Sequence, residues 1–226
     1  MKESHQWSQS VEDYLKTLYD LAHEQETIST NQIAAKLNVA PASVTSMLKK
    51  LSAQDPPLVH YTRHYGASLT ERGRAVALRT IRRHRLLEQF LLDYLGYSWD
   101  EIHEEAERLE HAISERFEKR LAERLGQPDF DPHGDPIPAA DLSMPDSRVV
   151  PLNQLQPGQA ATVRRVHSSN AGLLRYLGER GIRPDARVKM IERGPYDQTL
   201  RIRVSGQGEM QVLGGELGGL ILVETG

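Results

Sequence analysis

The chain has 226 residues, 28 basic against 31 acidic, with a formal charge of −3. That length suffices for two or three small domains with separate cores, and a near-neutral chain can meet nucleic acid only through a local basic patch. Cysteine is absent, which excludes disulfides, thiolate zinc sites and a cysteine nucleophile; with no signal peptide and no apolar run long enough for a bilayer, a soluble cytoplasmic protein without a membrane partner is expected.

In chain order, Ser10 opens the first predicted helix, with Asp13 in capping-box spacing. Val11, Tyr14, Leu15, Leu18, Tyr19 and Leu21 form its apolar stripe. A short helix follows from Thr30, read as its N-cap, to Leu37, then a turn at Asn38–Pro41 and a second short helix over 42–51. Ile33, Ala34, Leu37, Val44, Met47, Leu48 and Leu51 supply a shared core. Ala42, Ser43, Thr45, Ser46 and Lys49 are left outward, small and polar enough for a helix lying in a major groove. Two short strands, from Leu58 and from Ala67, flank a turn at His64–Gly66 and make a wing that carries Arg63. The pattern predicts a winged helix–turn–helix that binds double-stranded DNA.

Thr70 is placed to cap a long helix to about Tyr94, and Ser98 to open another that ends near Leu125. Seven arginines between Thr62 and Arg85 (Arg63, Arg72, Arg74, Arg79, Arg82, Arg83 and Arg85) make the expected basic patch. Apolar positions on the two long helices, among them Phe90, Tyr94 and Phe117, exceed what one helix pair can bury, so a homodimer is expected. On a single helix, His103, Glu107, Glu110 and His111 share one face, and His84 and Glu88 stand at i and i+4 one helix earlier. Mixed imidazole and carboxylate without thiolate suits a first-row divalent cation; the bland alternative is a solvated acidic face.

From Gln127 to Ser147 the chain turns to Pro, Asp and Gly, read as a linker partly ordered against the helices. Beyond Val149 short β segments over 161–166, 187–192, 199–204 and 209–213, with a helix over 171–179, predict a small SH3-like barrel. The expected domains are 1–72 for DNA binding, 73–141 for the helical metal-binding and dimerisation part, 142–150 as linker and 151–226 as the SH3-like domain.

This order, with Arg83-His-Arg-Leu-Leu-Glu88, His103-x3-Glu107-x2-Glu110-His111 and His133-Gly-Asp-Pro-Ile-Pro138, resembles the diphtheria toxin repressor family of metal-dependent transcription regulators, in its manganese-responsive three-domain form. The resemblance implies a primary metal site of Asp13, Glu107, Glu110 and His111, and a neighbouring one of His84, Glu88 and His103. It implies a homodimeric repressor of metal-uptake genes on a palindromic operator, with Mn²⁺ as effector, Fe²⁺ as the alternative and other divalent transition metals bound in vitro. Iron-sensing members carry Met and Cys where this chain has Asp13 and Glu107. Two departures stand out: Lys16 replaces a carboxylate that some manganese sensors use, and Asn170 and Leu173 replace the Glu and Gln that complete the second site in iron sensors. Two other functions stay open, a metallohydrolase with Glu105 or Glu88 as base and a regulator of this fold that answers to an organic ligand.

Overall fold

The computed structural model describes residues 7–22 and 25–225, and these form two compact units. The first unit takes the chain up to Arg83, together with Glu110–Glu118 and Pro138–Ser143. Helix α1 (Gln9–Leu21) buries Val11, Tyr14, Leu15, Leu18 and Tyr19 as its periodicity predicts. It starts after Ser8, so Ser10 lies inside its first turn and Asp13 just beyond it, and the two form no capping box. Helix α2 (Thr30–Leu37) is capped one residue earlier than expected, by Ser29, whose Oγ accepts from Gln32 N while Ser29 N donates to Gln32 Oε1. Asn38 takes the left-handed conformation (φ 52°) that ends α2.

Pro41 then starts α3 (Pro41–Ser52), where its missing N–H costs no hydrogen bond. Ile33, Ala34, Val44, Leu48 and Leu51 are buried between α2 and α3, and Leu37 and Met47 are half-buried. The wing is the antiparallel pair β1 (Val59–Thr62) and β2 (Gly66–Leu69), with Val59 opposite Leu69. Ile28 pairs with Ala67 through two 2.8 Å backbone hydrogen bonds, tying the chain before α2 to the wing.

Thr70 caps α4 (Glu71–Leu95) as expected, its Oγ1 accepting from Gly73 N at 3.1 Å. The basic patch is smaller than the sequence suggests. Arg82 and Arg83 are buried and donate to Glu118 at 3.0 and 3.1 Å, and Arg82 also donates to the Pro138 carbonyl. Arg85, in the second unit, turns to Asp131, Asp135 and the Pro136 carbonyl. These three cations neutralise internal acids and so are withdrawn from nucleic acid.

The second long helix is also corrected. It is two helices, α5 (Ile102–Leu109) and α6 (Glu115–Arg124), separated by a turn over 110–114. Ser114 restarts the helix, its Oγ accepting from Phe117 N and its carbonyl from Glu118 N. Ser98 begins not a helix but the turn before α5, donating from N and Oγ to the Glu101 carboxylate. The shared face expected for His103, Glu107, Glu110 and His111 is therefore divided, two residues on α5 and two beyond its end. Of the apolar excess, Tyr94 and Phe117 are exposed, as is the neighbouring Leu95.

The second unit holds His84–Leu109, Lys119–Ile137 and the chain from Met144 onward. The proline-rich stretch is more built than a linker. Asp131 N donates to Asp135 O, Ile137 N to Asp129 O and Trp99 Nε1 to Pro132 O, and Asp131, His133 and Ile137 are buried. The β-domain is a six-stranded antiparallel sheet in the order β3-β8-β4-β5-β6-β7. Its strands are β3 (Val150–Pro151), β4 (Ala160–Val166), β5 (Arg187–Arg193), β6 (Leu200–Val204), β7 (Met210–Leu213) and β8 (Ile221–Glu224). Strand β6 shows the governing pattern, with Leu200, Ile202 and Val204 buried and Arg201 and Arg203 exposed. Helix α7 (Ala171–Glu179) matches its predicted span, whereas β3, β8 and the short α8 (Gly215–Leu220) were not anticipated. No helix among the described residues is long and apolar enough to cross a membrane.

Candidate metal centre

Two clusters of imidazole and carboxylate stand out, one in each unit. In the first, α1 places Glu12, Asp13 and Lys16 on one side, and the turn after α5 places Glu110 and His111 opposite them. Candidate ligand atoms of Asp13, Glu110 and His111 lie within 4.8 Å of one another. The His111 ring spans two acids, with Nδ1 2.6 Å from Glu12 Oε2 and Nε2 2.9 Å from Asp13 Oδ1, and Glu110 Oε1 stands 3.3 Å from Nε2. Burial alone would lower the His111 pKa, but hydrogen bonds to Asp13 and Glu12 and the charge of Glu110 raise it to about 9. Glu110 is 1 % exposed and meets Lys16 Nζ through both oxygens, at 2.9 and 2.8 Å. Arg83 approaches Glu12 at 3.8 Å.

Glu12 was not singled out from sequence. The signal was there, because Glu12 falls at i−3 and i−7 from the buried Leu15 and Tyr19, an acid on an apolar stripe. Glu107 belongs to the second unit. It lies on α5 with Oε1 3.7 Å from His103 Nε2 and a side chain 55 % exposed.

The second cluster brings together the three predicted residues His84, Glu88 and His103. His84 Nε2, His103 Nδ1 and Glu88 Oε1 are 2.9, 3.0 and 3.1 Å apart pairwise. That near-equilateral triangle has the edge of adjacent ligands around an octahedral ion with bonds of about 2.1 Å. Two residues from the 127–137 loop extend it. His133 Nδ1 stands 3.7 Å from Glu88 Oε1, with its Nε2 held by the Trp99 carbonyl at 3.1 Å, and Asp131 is within ligand reach of both.

The electrostatics test whether a cation fits here. Burial works against the Glu88 charge, yet His84, His103 and His133 together hold its carboxyl well below the usual range. Burial, then the charges of Glu88 and Asp135, push the Asp131 carboxyl well above it. Ionising Asp131 beside the buried Glu88 charge is thus unfavourable without a further positive charge, and a divalent cation bound here would supply one. Asn170, matched in sequence to a ligand position, caps α7 instead, its Oδ1 accepting from Leu173 N at 2.9 Å. Glu105, considered as a water-activating base, pairs with Arg108 at 3.1 Å.

On the DNA-binding side, Ala42, Ser43, Ser46 and Lys49 are exposed on α3, and Thr45 is half-buried with its hydroxyl donated to the Pro41 carbonyl. Arg63 is exposed on the wing and, with Thr45, Ser29, Thr30, Tyr61 and His64, lines a hollow of about 240 Å³. The wing tip adds Tyr65, a strongly exposed aromatic that sequence reading passed over.

A winged helix–turn–helix, a helical segment rich in imidazole–carboxylate clusters and a small antiparallel β-domain together define a metal-dependent transcription regulator. Comparison with known proteins narrows the class. Residues 6–67 match the family model described as the iron dependent repressor N-terminal DNA binding domain. Residues 70–139 match the iron dependent repressor metal binding and dimerisation domain, and residues 150–225 the FeoA domain. The chain is 35 % identical to the iron-dependent repressor IdeR of Mycobacterium tuberculosis, over 79 % of this chain and 82 % of that protein. It is 30 % identical to the diphtheria toxin repressor of Corynebacterium efficiens, over 95 % of each. A solved manganese-dependent transcriptional repressor in complex with manganese superposes with a TM-score of 0.86 at 37 % identity, covering 95 % of this chain and 99 % of that one. The chain belongs to the family of iron-dependent and diphtheria toxin repressors.

A cation taken up at the first cluster would have to compete with the proton on His111. Below about pH 9 the metal-free ring is an imidazolium, and only the neutral ring can ligate. Apparent Mn²⁺ affinity should therefore rise with pH through the neutral range, by up to about tenfold per unit for one displaced proton. Titrating Mn²⁺ into weakly buffered protein at pH 7 should release at least one proton per chain, and His111→Gln should release one fewer. Equal release from both proteins would remove His111 from the ligand set.

Proposed function

We propose that this chain is a Mn²⁺-activated DNA-binding repressor that acts as a homodimer on a palindromic operator and controls metal-uptake genes, with Fe²⁺ as the alternative effector. The observation that carries the reading is the convergence of Asp13, on a helix of the DNA-binding unit, with Glu110 and His111 from the turn after α5. Asp13, Glu110 and His111 would hold the cation, and Glu107 is added as a fourth ligand by its match to the family's ligand position. Carboxylate oxygens and imidazole without sulfur make Mn²⁺ a reasonable effector, although raw affinity still rises toward the later ions. His84, Glu88 and His103, with Asp131 and His133, form the proposed second site.

A bound divalent cation supplies positive charge at the point where these donors meet. The rest is done by the protein. Helix α1 contacts both α2 and β2, so holding Asp13 in place holds the frame that carries α3 and the wing. In a homodimer that constraint favours one spacing of the two recognition helices, matched to major grooves about one helical turn apart. The shift can be no larger than the difference in metal affinity between the two arrangements. Both the mycobacterial and corynebacterial relatives are repressors by name, and the pairing of Glu105 with Arg108 does not support the hydrolase.

The test uses metal-stripped protein and an operator recovered from random duplexes by selection in Mn²⁺. Mn²⁺ should tighten operator binding, and Glu110→Ala or His111→Ala should abolish that effect while leaving a folded dimer. Wild-type metal dependence in either variant would show that the primary site lies elsewhere. On the DNA side, Lys49→Ala should weaken binding to every sequence and reduce the salt slope by about one unit. Ser46→Ala should instead change sequence preference; identical effects of the two on specific and random DNA would argue against α3 as the recognition helix.

A further inference from the structure

We infer that Lys16 is a built-in rival of the activating cation, an ammonium that occupies the oxygens of Glu110 in the metal-free protein and so sets the metal concentration at which the chain responds. The inference rests on the proposed metal centre and assigns to it a residue that cannot itself be a ligand.

The geometry is specific. Lys16 Nζ meets both Glu110 oxygens, at 2.9 and 2.8 Å, and the two side chains are 14 % and 1 % exposed. A carboxylate this enclosed is costly to leave uncompensated. Lys16 lies on α1 three residues after Asp13 and four after Glu12, so its head reaches the face that carries both acids. The Lys16–Glu110 pair consequently joins the same two segments, α1 and the turn after α5, that Asp13, Glu110 and His111 would join around a cation. The protein assembles the site with its own positive charge and fills one ligand's lone pairs in doing so.

Two consequences follow, and they act in the same direction. A divalent cation must displace the ammonium from Glu110 or share the carboxylate with a like charge a few ångströms away, so Lys16 weakens metal binding. Lys16 also stabilises the metal-free chain, because without it the buried Glu110 loses an ammonium that meets both of its oxygens. Removing the charge should raise the free energy of the metal-free state and lower that of the loaded one. Lys16 is thus a threshold-setting residue. A carboxylate at this position would instead add a ligand, and a neutral residue would leave the site responsive to traces of metal.

The experiment compares full-length wild type, Lys16→Met and Lys16→Arg, each stripped of metal. Two readouts are independent of DNA: Mn²⁺ affinity by competition with a fluorescent chelator, and thermal denaturation without metal. The binding step of interest is the one lost in Glu110→Gln. Lys16→Met should bind Mn²⁺ at that step about tenfold or more tightly than wild type, with a lower metal-free midpoint and a larger rise on loading. Lys16→Arg should stay close to wild type in affinity. Equal or weaker Mn²⁺ binding in Lys16→Met would overturn the inference and leave the metal centre intact. Absence of any Glu110-dependent Mn²⁺ binding in wild type would instead overturn the metal centre itself. If Lys16→Met does not fold, Lys16→Gln, which keeps a hydrogen bond to Glu110 without the charge, is read by the same criteria.

Discussion

A carboxylate removed from water has to be met by positive charge, and the first unit is arranged around that demand at Glu110. The side chain is almost fully enclosed, and its oxygens are met by Lys16 from α1 and approached by the ring of His111. Because Lys16 and the other partners of His111, Glu12 and Asp13, sit on α1, meeting the charge means fastening α1 to the turn after α5. The break in the helix is part of this solution. Ending α5 at Leu109 and restarting at Ser114 gives Glu110 and His111 a local geometry that an uninterrupted helix lacks. A cation bound as proposed would enter a network of charges already aimed at one point.

The second cluster obeys the same rule with the opposite balance. Around Glu88 the charge of His84 and hydrogen bonds with His103, His133 and His84 hold that carboxyl ionised against its burial. Asp131 is not satisfied in this way, even with two backbone N–H groups donating to its Oδ1 at 2.8 and 2.9 Å and Arg85 nearby. Helix α4 illustrates how closely the two clusters share the sequence. Consecutive residues Arg83 and His84 serve different units, the first facing Glu12 and Glu118, the second facing Glu88 and His103. The run of arginine that looks like a nucleic-acid patch is, at Arg82, Arg83 and Arg85, internal counter-charge.

The helix–turn–helix and the wing were legible because short-range rules govern them: apolar spacing in α2 and α3, proline in the first turn of α3, and alternation in two strands around a glycine turn. The β-domain was legible strand by strand where polar and apolar residues alternate, as in β6. It was not legible at β8, a four-residue apolar run directly after the glycine-rich α8 whose place in the sheet is set by long-range pairing with β3 and β4. The helix break was hidden for a related reason. No glycine or proline marks residues 110–114, and the one local cue is Ser114, a residue equally at home on a helix surface. Candidate ligand residues spaced along α4 and α5 could be picked out from sequence, but Asp131 and His133 lie in a loop whose direction is set by its own backbone hydrogen bonds and by Trp99. Glu12 was passed over because its neighbour Asp13 matched a family position.

The central claim is that α1 and the turn after α5 share one divalent cation. Anomalous diffraction at the manganese edge, from crystals grown with Mn²⁺, tests it most directly. The account predicts a peak within bonding distance of Asp13, Glu110 and His111, with His111 Nε2 turned from Asp13 Oδ1 to the ion and Lys16 Nζ displaced from Glu110. A peak confined to His84, Glu88 and His103, in protein whose operator binding still requires Mn²⁺, would contradict it.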